Sequence, residues 1–176
     1  MNGFELADTA IKIGLGAAIS GIATFQVARL NHDRDIEKQA LTRRLDSLEK
    51  ASMAFQQYAH VWRRWRGRLA GVLQEKIPPV DKYTPEQRKR ILEIDAEFQK
   101  AREHLIVAVA GLHLLGADEA LKRLNLFVEE VTALRDKVVF RKEVPTLEYY
   151  QEVVDRVIDK KGAFEKSLSA LYLKKG

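Results

Sequence analysis

The chain has no cysteine, which excludes disulfides and cysteine metal sites. Proline is scarce and confined to positions 78, 79, 85 and 145, so long stretches carry no helix breaker. The motifs of common chemistries are missing too. There is no His-Glu-x-x-His and no Gly-x-Ser-x-Gly. Gly14-Leu15-Gly16 lacks the third glycine of a nucleotide-binding loop, and no strand is predicted before it. Histidines 32, 60, 104 and 113 form no set, and none follows a Glu by three residues, so the Glu-x-x-His iron signature of bundle enzymes is absent. His113 sits in an apolar stretch and reads as a core histidine. The sequence therefore predicts no enzyme, no cofactor and no metal.

What is present begins with an uncharged run, Ile13 to Ala28. Glu5 and Asp8 precede it; Arg29, Arg34, Lys38, Arg43 and Arg44 follow. Acid before and base after is the charge order of a single membrane-spanning helix with its N-terminus outside and its long end cytoplasmic, as in a bacterial inner membrane. As a helix the run measures about 24 Å against a hydrocarbon core of about 30 Å. Recruiting Thr9 to Lys12 gives enough length, since the Lys12 amine can reach the interface. The acidic leading end argues against a cleaved signal peptide. The alternative for this run is an apolar helix buried against protein.

One face of the run is made of small residues: Ala10, Gly14, Ala17, Gly21, Thr24 and Ala28 recur every three or four positions. Such seams let helix backbones approach closely in lipid, which predicts self-association there. This seam with Lys12, Thr24 and Gln26, which could line or gate a polar path, raises an alternative, a membrane-active effector or toxin that oligomerises into a pore.

Charge is uneven. Residues 1–28 carry one base against two acids, residues 29–76 eleven against six, and residues 77–176 eighteen against seventeen. The excess of the net +5 charge thus lies just past the apolar run, where anionic lipid attracts it at about 1 kcal/mol per base. Membrane lipid, rather than nucleic acid, is the partner this pattern predicts.

Beyond the run, periodicity is helical throughout. Leu41, Leu48, Phe55, Trp62 and Leu69 form one heptad row, with Leu45, Ser52, Ala59, Arg66 and Leu73 as the second. This helix is predicted from about Asp33 to Glu75, with Asn31-His32-Asp33 as a point where it breaks from the preceding helix or continues, and Ile77-Pro78-Pro79 as its end. Thr84-Pro85-Glu86-Gln87 is a capping box opening the next helix. Its nearly continuous apolar end, Leu105 to Leu115, predicts the most buried helix, stopped by Gly116. Asp118 is the predicted cap of a third helix to about Phe140, and Thr146 of a fourth. The expected architecture is all-α: residues 1–30 as tail and transmembrane helix, 31–76 as helical stalk and first long helix, and 77–176 as three more helices of an antiparallel four-helix bundle.

Two polar clusters are candidate sites. The first is Trp62, Arg63, Arg64, Trp65, Arg66 and Arg68. Arginine interleaved with tryptophan can bind phosphate, anionic lipid or an acidic partner, which makes a peripheral lipid or nucleic-acid binder a further alternative. The competing assignment puts Trp62, on its heptad row, in the core. The second is an acidic face, Glu148, Glu152, Asp155 and Asp159, spaced four, three and four. A single stripe does not converge on a metal; it reads as a solvated face or as a partner for Arg63, Arg64 or Arg68. The leading functional expectation is a membrane-anchored helical interaction protein that self-associates as a homo-oligomer and couples its bundle, with a cytoplasmic protein partner, to the membrane.

Overall fold

The computed structural model describes residues 3–75 and 82–173, with side chains from residue 24 onward except at position 33. Every described element is helical: α1 (Gly3–Gln74), α2 (Pro85–Lys100), α3 (Arg102–Leu114), α4 (Asp118–Arg135), a π-helical turn (Asp136–Phe140) and α5 (Leu147–Leu173). The chain divides into two units, Met1–Arg43 and Arg44–Gly176.

In the first unit, Asn31-His32-Asp33 does not interrupt α1. Among the described residues no helix is long and apolar enough to cross a membrane. The side chains of Ala10, Gly14, Ala17 and Gly21, and most of the run Ile13 to Ala28, lie outside the described residues. Thr24 and Ala28 are exposed, as are Phe25, Val27 and Leu30.

The second unit is a bundle of four helical rods: the later part of α1, α2 with α3, α4 with its π turn, and α5. Bonded partners run in opposite directions along neighbouring rods. The Tyr150 hydroxyl donates to the Arg66 carbonyl and Gln56 donates to Glu165, so α1 and α5 are antiparallel. Arg68 reaches Glu97 while Arg90 reaches Glu75, which makes α1 and α2 antiparallel as well.

The α1 heptad row supplies the centre of the core. Leu48, Phe55, Trp62 and Leu69 are buried, whereas Leu41 and Leu45, which start the first and second rows, are exposed. Phe55 meets the edges of Phe127 at 5.4 Å and Phe164 at 4.4 Å, tying α1 to α4 and α5. Trp62 and Trp65 stack at 5.2 Å, with Phe98 of α2 against both.

The second predicted helix is two. At Ala101 the amide donates to the Phe98 carbonyl (3.1 Å), and the His104 amide to that of Ala101 (3.1 Å). These three-residue bonds tighten the chain and separate α2 from α3. Nor is α3 the most buried helix. Ala108 and Leu112 are buried, but Ile106 is 67% and Leu114 85% exposed. From Leu105 to Leu115 the sequence is nearly continuously apolar, yet His113, expected in the core, is exposed, and only one side meets the bundle, across Gly111. A Cβ there would lie 2.9 Å from that of Ala51, so glycine permits the contact.

The predicted caps hold at Thr84, whose hydroxyl accepts from the Gln87 amide while the Gln87 side chain accepts from Thr84, and at Thr146, which accepts from the Tyr149 amide. Gly116 closes α3 in the left-handed region at φ 60°, where lack of a Cβ removes the steric penalty. Asp118 is not a cap. Ala117 holds that position, and Asp118 and Glu119 occupy the first turn, where carboxylates complement the helix dipole.

α4 does not continue as an α-helix to Phe140. Its last turn widens, and the Arg141 amide bonds back to the Asp136 carbonyl. Arg88 reaches across from α2 to the Val138 and Val139 carbonyls, satisfying acceptors that a helix end leaves free. Beside them Arg135 makes a two-pronged pair with Asp95 at 2.7 and 2.9 Å. The two side chains are only 15% and 8% exposed.

Asp95→Ala should leave a buried unpaired guanidinium and cost about 3 kcal/mol, read from urea denaturation; an apolar pair at 95 and 135 should restore most of that loss. Lys142 ends the π turn at φ 61°, where a Cβ is strained. Lys142→Gly should therefore raise stability by up to about 1 kcal/mol, seen as a higher melting temperature.

Candidate functional site

Helical spacing distributes the Trp62–Arg68 cluster over three sides of α1. Trp62 and Trp65 turn inward and are buried, so their rings are spent in the core. Arg64 and Arg68 turn toward α2, where both approach Glu97, at 3.6 and 3.1 Å. Arg63 and Arg66 turn toward α5, and neither makes an ion pair among the described residues. The aromatic half of the predicted basic–aromatic site is therefore not on the surface; the arginines alone are.

The acidic stripe of α5 is a surface feature. The buried side of this helix is Tyr150, Val153, Val154, Val157, Phe164 and Leu168. At about 100° per residue, Glu148, Glu152, Asp155 and Asp159 fall within about 60° of one another on the opposite side. All four are exposed. Asp155 accepts from Gln151 at 2.9 Å. The pairing with Arg63, Arg64 or Arg68 within one chain is not formed, because a stripe opposite the core points away from the neighbouring helix. Among the described residues no three metal-ligating side chains converge.

Between the two clusters runs a groove of 680 Å³, lined by Arg63, Arg66, Gly67, Ala70, Leu147 and Tyr150 among others. Sequence patterns did not reveal it, since it arises from the packing of α5 on α1. Tyr150 forms its inner wall. Burial raises its hydroxyl pKa, against a lowering by Arg66, and the hydroxyl donates to the Arg66 carbonyl at 2.6 Å. Gly67 is floor, and a Cβ there would meet nothing within 4 Å. Gly71, one turn on, is equally open. Mid-helix glycine costs about 1 kcal/mol relative to alanine, and packing within the chain explains neither.

The other polar groups serve the fold. Arg90 hydrogen-bonds Glu75 and holds its carboxyl below the ordinary range. Burial raises Glu165, but hydrogen bonds from Lys161 and Gln56 and the nearby charges of Lys161 and Arg63 outweigh it, leaving it below the usual value. Tyr58 is held by burial well above the ordinary tyrosine range, despite Arg102 and Arg135. Burial also pushes Tyr83 up to about 12, partly opposed by Arg88. The Asp95–Arg135 pair escaped the sequence patterns, although an acid flanked by Ile91, Ile94 and Phe98 on one helix was a signal for it.

No family model, curated protein or solved structure matches this chain.

The tyrosines set an alkaline limit. Their folded pKa values lie above the unfolded value of 10.0, so the stability they contribute is complete below that pH and lost as pH rises through the window to about 12 and beyond. Urea melts across this range should show falling stability, and Tyr58→Phe should flatten the fall.

Proposed function

We propose that this chain is a membrane-anchored helical interaction protein that self-associates, with Ile13 to Ala28 as anchor and the antiparallel bundle as the cytoplasmic part that meets a protein partner. The carrying observation is the asymmetry around that run, with acids before it and five bases after it within sixteen residues. Two features of the structure support the reading. α1 runs unbroken from Gly3 to Gln74, so the chain leaves the run and enters the bundle without an intervening loop. Phe25, Val27 and Leu30, at the inner end of the run, present apolar side chains outward, as lipid or another helix requires. The small-residue seam from Ala10 to Ala28 is the self-association face in this reading.

A second reading, an effector that opens an ion path, is favoured by the polar residues Lys12, Thr24 and Gln26 on the same helix as the seam. One experiment addresses both. The intact chain is expressed in bacteria at low level, membranes are washed with carbonate, and membrane potential is followed in the same cells. Carbonate-resistant association without depolarisation is the expected result. Depolarisation that Gly14→Leu with Gly21→Leu abolishes would shift the reading to the effector, and a fully soluble chain would remove the anchor.

A further inference from the structure

The groove between α1 and α5 lies within a surface that is complementary to itself. Its α1 side carries Arg63 and Arg66, which make no ion pair among the described residues. Its α5 side leads to the exposed acids Glu148, Glu152, Asp155 and Asp159. The antiparallel packing fixes their heights. Tyr150 bonds Arg66 and Glu165 bonds Gln56, so Arg63 stands about level with Asp155, and Arg66 with Glu152.

We propose that this groove seats a second copy of the chain, related by a two-fold axis parallel to the bundle. Such an axis lays α1 of each copy over α5 of the other at the same height. Arg63 and Arg66 of one copy then face Asp155, Glu152 and Glu148 of its partner, and the contact is made twice. The open backbone at Gly67 lets the partner's α5 settle close to α1, and Leu147, half exposed on the groove wall, is covered. This inference rests on the self-association reading above and assigns that association to a face of the bundle.

The absence of cysteine gives a direct test in the full chain. Two differently tagged copies are co-expressed, one carrying Arg63→Cys and the other Asp155→Cys, and membranes are oxidised mildly. A mixed-tag disulfide dimer is expected, about tenfold above that of a control pairing Arg63→Cys with Ile106→Cys. Gly67→Trp, whose added atoms start in open space, should remove that dimer while leaving helical circular dichroism unchanged. Lysine-directed crosslinking of the unmodified chain runs in parallel. An oligomer there without the 63–155 disulfide overturns the groove and leaves self-association standing. A monomer in both overturns both, and a disulfide that Gly67→Trp leaves intact overturns the groove as its seat.

Discussion

The aromatic cluster on α1 is the constraint from which the rest of the bundle follows. Phe55, Tyr58, Trp62 and Trp65 fill one side of the helix and meet Phe98, Phe127 and Phe164 from three other elements. Rings of this size must be covered on all sides to be removed from water. That demand sets which face of each partner helix turns inward, and hence which residues are left outside. The tryptophans are central to this packing, so their use as a surface for base or lipid recognition would require opening the core.

The polar anchor of the bundle sits at the α2–α4 contact. Asp95 and Arg135 neutralise each other where water is nearly excluded, and Arg88 takes up carbonyls at the end of the π turn. Buried pairs of this kind add little net stability over an apolar substitute, but they penalise any arrangement that separates them. Together with the widened turn at Asp136–Phe140, they set the register between α2 and α4. The aromatic cluster alone would hold that register less strictly.

Outside the core, the chain divides its charge by face. Glu97 occupies Arg64 and Arg68, Glu75 occupies Arg90, and Glu130 occupies Arg156. Arg63 and Arg66, which make no close ion pair among the described residues, and the acids opposite the α5 core lie on adjacent faces. Exposed pairs individually contribute little, so what distinguishes this surface is the juxtaposition of exposed opposite charges with a groove and a helix glycine, Gly67, that intramolecular packing does not explain.

Much of this architecture was legible in the order of residues. The heptad row from Leu48 to Leu69, the capping box at Thr84 and Gln87, the stop at Gly116 and the outward position of Glu148 to Asp159 all depend on spacing along one helix, which the chain itself specifies. The break at Ala101, the π turn after Arg135, the exposure of α3 and the fate of each arginine between Arg63 and Arg68 were not legible. These depend on what lies across the contact: Ala51 opposite Gly111, Asp95 opposite Arg135, Glu97 opposite Arg64. By itself the sequence determined that the chain is helical, where most helices begin and end, and where charge changes around an uncharged run, because these are local properties of backbone and side chain. Only tertiary packing decided which apolar faces are covered, which ions are matched and where a groove remains, because burial and pairing belong to two helices at once.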